Sequence, residues 1–214
     1  MINKIKNKFE NRRVFRNKIF ESAVMICIFT SAEDGKDYII LEKRAESIRQ
    51  AGEISFPGGK KDETDETFMD TAIRETVEEL GVKPENIADT QYFGTFFFIM
   101  GVVIDTYICR LKVEKISDIL YSKDEVEKLL VVPIEYLMKN EPVIEEIQVY
   151  NKALFDAKKY KFTQRYLNDW HFPNRKIYIY KYEDESIWGM TSEILFDFIK
   201  TLKEKGKVGN YEYK

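Results

Sequence analysis

Residues Phe56 to Val82 read FPGGKKDETDETFMDTAIRETVEELGV, and this stretch decides the fold. Its second half has helical periodicity from about Thr67 to Leu80. At about 100° per residue, Met69, Ala72, Ile73, Thr76, Val77 and Leu80 fall within one arc, and Glu75, Glu78 and Glu79 within an adjacent one. Thr67-x-x-Asp70 resembles a capping box at the start. Gly81 stands where a left-handed cap is wanted, with Pro84 just beyond. The spacing therefore predicts a helix with a packing face and a separate acidic face. Like charges one turn apart cost stability. A hard divalent cation removes that cost, and Mg²⁺ takes oxygen ligands together with substrate phosphates. Arg74, beside the cluster, can hold one carboxylate by paired hydrogen bonds. Gly58 and Gly59 let the backbone approach an ion and phosphates closely. Taken alone, an acidic helix face is equally at home in solvent.

Outward from this segment, strand signals come at Ala23 to Thr30 and, after the turn Glu33-Asp34-Gly35-Lys36, at Tyr38 to Lys43. Glu53 to Phe56 is a short extended piece. Long β-branched and aromatic runs, Gln91 to Phe98 and Val102 to Val113, flank Gly101. Asp124 to Leu130 and Pro133 to Lys139 read as short helices. Val143 to Tyr150 and Lys176 to Tyr182 read as strands. A last helix runs from about Thr191 to Lys205, with Ile194, Leu195, Phe198, Ile199 and Leu202 on one face and Gly206 as its stop. The expectation is an α/β fold, a mixed sheet with helices on its faces.

Composition excludes several chemistries. The chain has 214 residues with 34 Lys+Arg, 37 Asp+Glu and one histidine, His171. One histidine rules out HExxH zinc sites and multi-histidine cages. The net charge of −3 offers no global field for nucleic acid, and neither a nucleic-acid partner nor a membrane is expected. The longest apolar run, Phe96 to Ile104, is nine residues, about half a bilayer span. Cys27 and Cys109 lie in apolar strand-like runs and read as buried core thiols. With no secretion signal they suggest the cytoplasm and no disulfide. The basic residues 1–18 read as a solvated helix, and a membrane-surface helix is the other reading of them.

The spacing of Glu66, seven residues, Arg74-Glu75, two residues, Glu78-Glu79, one residue and Gly81-Val82 matches the core of the Nudix box. Apart from Val82, these six specified residues at fixed spacing arise by chance with odds on the order of one in ten thousand or less. Thr76 stands where the box usually has an aliphatic residue, and the loop before Glu66 is one residue longer than usual. The chain is thus identified as similar to Nudix hydrolases. Phe56-Pro57-Gly58-Gly59-Lys60 with Asp62 and Asp65 resembles the branch of coenzyme A pyrophosphatases. So do Leu41, Arg44, Ala45, Arg49 and Gly52 upstream, and Ile187-Trp188-Gly189-Met190-Thr191 near the end. The gap between Arg49 and Gly52 is one residue shorter than in that branch, and no histidine falls in it.

The resemblance implies the Nudix fold, an α/β/α sandwich over residues 19–214, and hydrolysis of a nucleoside diphosphate linked to another group. Coenzyme A or a derivative, cut to 3′,5′-ADP and 4′-phosphopantetheine, is the first expectation. ADP-ribose, a dinucleotide, a nucleoside triphosphate or capped RNA are the alternatives, as is a binding module without turnover. Mg²⁺ or Mn²⁺ is the implied cofactor. Glu75 and Glu79 are the implied principal metal ligands, with Glu78 assisting and the Gly58 carbonyl as a backbone ligand. Arg74 is the orienting residue. The base is a box glutamate or Glu125. Arg44, Arg49, Gly59 and Lys60 are candidates for the substrate phosphates, although Arg44 and Arg49 also suit a structural ion pair. Trp170, His171 and Phe172 suit packing better than stacking on a base, and Phe68 is a further substrate candidate. The oligomeric state stays open, a homodimer included.

Overall fold

The computed structural model describes residues 20–98, 101–171 and 173–204. Its centre is a mixed seven-stranded sheet. Strand β1 (Phe20–Thr30) runs parallel to β6 (Val102–Leu111), in register from Phe20↔Val102 to Ile28↔Arg110. On its other edge β1 pairs antiparallel with β2 (Asp37–Arg44) and, nearer its start, with β4 (Gly58–Lys60). Strand β2 also pairs with β3 (Ile54–Ser55) and with β7 (Val126–Pro133). Strand β5 (Ile87–Phe98) closes the far edge as a hairpin with β6.

Strand alternation sends side chains to two layers. From β1, Ala23, Met25, Cys27 and Phe29 join Ile40, Tyr107, Cys109 and Leu111 beneath helix α1 (Phe68–Leu80), which contributes Ala72 and Leu80. Ile26, Ile39, Leu41, Ile104, Leu130 and Val132 face the opposite way. They pack with Leu137 of α2 (Ile134–Lys139) and with Ile194, Leu195, Phe198 and Ile199 of α3 (Gly189–Lys203). Each fully buried aliphatic side chain stabilises by about 1.5–3 kcal/mol. The result is the expected α/β/α sandwich.

Helix α1 begins and ends where its sequence signals lie. The Thr67 hydroxyl accepts from the Asp70 N–H at 3.2 Å, and the Asp70 carboxylate accepts from the Thr67 N–H at 2.8 Å. Gly81 is left-handed with φ 61°. A Cβ there would also overlap the Leu120 carbonyl, so glycine is needed for conformation and for space. The helix end is tied to the loop before β7, because the Ser122 N–H donates to the Glu79 carbonyl at 2.9 Å.

Residues 124–130 depart from expectation. They enter strand β7 rather than a helix, because Val126 to Pro133 is claimed by pairing along β2 from Arg44 to Tyr38. The expected strand 143–150 divides into β8 (Val143–Ile147) and the start of β9 (Tyr150–Asn151). Strand β8 pairs with β11 (Arg175–Tyr182), which pairs in turn with β12 (Glu185–Ile187). Strand β9 pairs with β10 (Trp170–His171). The tyrosine face of β11 packs inward: Tyr178 stacks on Phe196 of α3 at 4.2 Å, and Tyr180 is buried. Cys27 and Cys109 are both buried and free. They are register partners on β1 and β6, with Sγ atoms 3.7 Å apart. Among the described residues no helix is long and apolar enough to cross a membrane. The expected basic helix over 1–18, Phe172 and the last helix's Lys205 and Gly206 lie outside the described residues.

Candidate active site

Strand β3, the bend at Phe56-Pro57 and strand β4 carry the glycine loop across the N-terminal half of β1. Phe56 anchors it in the core at 2% exposure, and the Pro57 carbonyl accepts from the Met25 N–H at 2.9 Å. Gly58 has φ 151°, and a Cβ there would strike the Ala23 carbonyl and the Val24 backbone. Gly59 is confined from the other side, since a Cβ on it would overlap the Glu75 carboxylate. The loop and α1 are thus in contact at the acidic face of the helix.

Arg74 organises that face. Its Nε donates to Asp65 Oδ1 at 3.0 Å and its Nη2 to Asp65 Oδ2 at 2.9 Å. It also reaches Glu75 Oε1 and Glu78 Oε2, each at 3.0 Å, and donates to the Lys60 carbonyl at 3.3 Å. Asp65 accepts further bonds from the Thr71 hydroxyl and the Asp62 N–H, both at 2.9 Å. The guanidinium and these donors hold the Asp65 carboxyl well below the usual range. Asp65 thereby locks the arginine that holds Glu75 and Glu78.

Glu79 differs from its neighbours. It turns toward the sheet at 4% exposure, and its Oε2 accepts from the Gly58 N–H at 2.7 Å. The wheel placed it on the acidic arc and Met69 on the packing arc; instead Glu79 is buried and Met69 is 38% exposed. Burial pushes Glu79 up to about 9, and the charge of Glu42 adds to the shift. Glu42, on β2, is fully buried. Its Oε1 accepts from the Ser55 hydroxyl at 3.1 Å and lies 3.9 Å from Arg44 Nη1, while its Oε2 has no hydrogen-bond partner. Burial raises Glu42 to about 8, with the charges of Glu125 and Glu75 pushing the same way. Burial raises Glu75 as well, against the opposing pull of Arg74.

The other candidates fall into two groups. Arg44 points inward, with Nε donating to the Arg49 carbonyl at 3.1 Å, so it supports the loop over 45–52 and faces Glu42. Glu125 is exposed, but its carbonyl accepts from the Ala45 N–H at 2.8 Å, which fixes it at the end of β2 near the acidic group. Arg49 and Lys60 are exposed. Lys61 is engaged with the Glu66 carbonyl at 2.7 Å and lies over the Phe68 ring. His171 sits on β10 within 3.0 Å of Gln148 Nε2 and against the Tyr150 ring, which fits packing. Glu42 escaped the reading of motifs, yet it carries a signal. It shares a strand face with Ile40, which is a buried position for a carboxylate.

Among the described residues no three acidic, histidine or cysteine side chains stand close enough together to coordinate one ion as they are. The donor chemistry nevertheless fits a hard cation: oxygen ligands, buried like charges, an unpartnered Glu42 oxygen and a glycine at the Glu75 carboxylate.

The NUDIX domain matches residues 20–174, and the chain belongs to that family. It is a Nudix hydrolase, an enzyme of phosphoanhydride bonds. It is 28% identical over 194 residues to Nudix hydrolase 3 of Caenorhabditis elegans, covering 85% of this chain and 73% of that one. It is 26% identical to peroxisomal coenzyme A diphosphatase 1 of Saccharomyces cerevisiae, covering 97% of this chain and 79% of that one. A MutT/nudix family protein from Enterococcus faecalis shares the fold with TM-score 0.51 at 15% identity, over 94% of this chain and 70% of that one.

Proposed function

We propose that this chain is a divalent-cation-dependent pyrophosphohydrolase that cleaves coenzyme A or a derivative to 3′,5′-ADP and 4′-phosphopantetheine. The observation that carries the reading is the set of carboxylates Glu75 and Glu79 pressed against the Gly58-Gly59 loop, with the exposed cation Arg49 held through its carbonyl by Arg44, which faces Glu42. The similarity to a coenzyme A diphosphatase supports the substrate.

Glu75 and Glu79 would hold Mg²⁺ or Mn²⁺, with Glu78 assisting and the Gly58 carbonyl contributing from the loop. The ion would neutralise phosphate charge and acidify a bound water. Arg74, fixed by Asp65, keeps Glu75 and Glu78 in place. A base, Glu125 or a box glutamate, takes a proton from water as its oxygen attacks one phosphorus. The anhydride P–O bond breaks, and the leaving phosphate keeps the electron pair. Arg49 suits the 3′-phosphate that distinguishes coenzyme A from its dephospho form, because a guanidinium fork fits phosphate better than an ammonium. Lys60 and the Gly59 backbone are the further phosphate contacts. Two buried free thiols fit a reducing compartment such as the cytoplasm.

The test is a substrate panel of coenzyme A, dephospho-coenzyme A, ADP-ribose and a dinucleotide with Mg²⁺ or Mn²⁺, its products weighed by mass spectrometry. Coenzyme A should give the highest kcat/KM, and Arg49→Ala should narrow its lead over the dephospho form by about ten- to a hundredfold. Faster cleavage of ADP-ribose or dephospho-coenzyme A would overturn the coenzyme A reading and leave the hydrolase. No turnover of any member would indicate a binding module.

A further inference from the structure

We infer that Glu42, a strand residue outside the Nudix box, supplies an additional carboxylate ligand to the divalent cation. The inference rests on the metal-dependent reading above.

Position comes first. Glu42 shares a face of β2 with Ile40, whose side chain packs in the layer formed by Ala72 and Leu80 of α1. Its carboxylate therefore points from the sheet toward the helix that carries Glu75 and Glu79. The two sides grip one loop. Glu42 takes the Ser55 hydroxyl through Oε1, and Glu79 takes the Gly58 N–H through Oε2. Only Phe56 and Pro57 separate these two contacts along the chain. The Glu75 carboxylate lies against Gly59, so all three carboxylates meet the one short stretch from Ser55 to Gly59.

Satisfaction comes second. Glu42 is fully buried, and its Oε2 has no hydrogen-bond partner. Ionised, that oxygen lacks a donor; protonated, it lacks an acceptor. A buried polar atom in this state costs about 1–3 kcal/mol, more when charged. Arg44 does not relieve it, since its Nη1 approaches Oε1 at 3.9 Å, beyond hydrogen-bond reach. A cation between β2 and α1 would satisfy Oε2 and offset the repulsion among all three carboxylates. A water molecule would satisfy Oε2 only.

The probe is Mn²⁺ alone, titrated into the full-length chain without substrate and followed by the electron paramagnetic resonance of the free ion. Wild type, Glu42→Gln, Glu42→Asp and Glu79→Gln are compared. Glutamine keeps an oxygen for the Ser55 hydroxyl, and aspartate keeps the charge but withdraws it by a methylene. Both Glu42 variants should weaken Mn²⁺ binding by about ten- to a hundredfold, in the range for altered metal surroundings. In EDTA, Glu42→Gln should melt no lower than wild type, because the amide still accepts from the Ser55 hydroxyl and replaces a carboxyl whose Oε2 already lacks a partner. A structural role through Ser55 would do the reverse, lowering the EDTA melting point and leaving Mn²⁺ affinity intact. Wild-type affinity in both folded Glu42 variants, with affinity lost in Glu79→Gln, would overturn the inference alone. Failure of the wild type to bind Mn²⁺, or wild-type binding by Glu79→Gln, would remove the metal-dependent reading beneath it.

Discussion

Arg74 and Asp65 face each other in a two-pronged ion pair, Nε to Oδ1 at 3.0 Å and Nη2 to Oδ2 at 2.9 Å. The same arginine touches Glu75 and Glu78, so the loop aspartate sets where the helix acids stand. Asp65→Asn should lower Tm by several degrees and reduce turnover, with kcat affected more than KM. Because the folded-state carboxyl ionises below its ordinary range, its stabilisation is complete above about pH 4 and fades as pH falls further. Melting curves of both proteins should therefore converge in strong acid, and a constant gap down to the lowest pH would contradict the assignment.

Glu79→Gln should cut turnover by about a hundredfold or more while the fold survives. The amide oxygen can still accept from the Gly58 N–H, and a neutral amide replaces a carboxyl that burial already holds neutral without metal. Its Tm in EDTA should equal or exceed that of wild type, and near-normal turnover by a folded variant would exclude Glu79 as a ligand.

The two loop glycines should respond differently to alanine. At Gly59 the added methyl meets the end of the flexible Glu75 side chain, so the chain folds and the carboxylate is displaced. A displacement near 1 Å costs about a hundredfold in rate. At Gly58 the methyl meets backbone, and φ is 151°, so Gly58→Ala should unfold at a much lower temperature. Activity and calorimetry on the pair separate the two effects; equal stability losses would contradict the packing described.

Metal-free protein should be more stable near pH 6 than near pH 9. Glu42 is raised to about 8 and Glu79 to about 9 from an ordinary value of 4.5. A carboxyl raised on folding contributes most below the unfolded value, and that contribution is lost as pH climbs through the folded value. Tm in EDTA should fall over this interval and fall less in Glu42→Gln. A rising Tm would show that these carboxyls stay ionised without metal.

Saturating Mg²⁺ or Mn²⁺ should raise the wild-type Tm. At a hundred times Kd the ion stabilises by about 2.7 kcal/mol, which for a domain of this size is roughly 5–10 °C. The rise should vanish in the Glu75→Gln, Glu79→Gln double variant, and equal shifts in both proteins would place the ions elsewhere.

What the sequence revealed followed from local rules. The capping box, Gly81 and the apolar spacing make α1 self-declaring. Strand β7 was illegible for the opposite reason. Glu125, Glu127 and Lys128 favour a helix, and Val126, Leu129 and Leu130 keep helical spacing, but the remote strand β2 claims the segment. Glu42 was hidden because a charged residue in a strand ordinarily marks the solvent face, and only its inward neighbour Ile40 contradicts that. Burial of Glu79 is not legible in the sequence, because a wheel fixes angle alone, whereas the depth of the loop beneath the helix belongs to the tertiary fold. Arg74, Glu75 and Glu78 were found by spacing and come together as spacing suggested.

Gly81 accommodates the Leu120 carbonyl, and Ser122 bonds back to the carbonyl of Glu79. The excursion through β5 and β6 thus leaves and rejoins the chain at one point in space. Glu125, whose N–H donates to the Ser122 carbonyl at 3.2 Å, is positioned by that closure and not by the path taken between. The hairpin of β5 and β6 can therefore change in length or sequence while the helix acid Glu79 and the loop acid Glu125 keep their spacing. The geometry of the acids is thus insulated from whatever happens along that excursion.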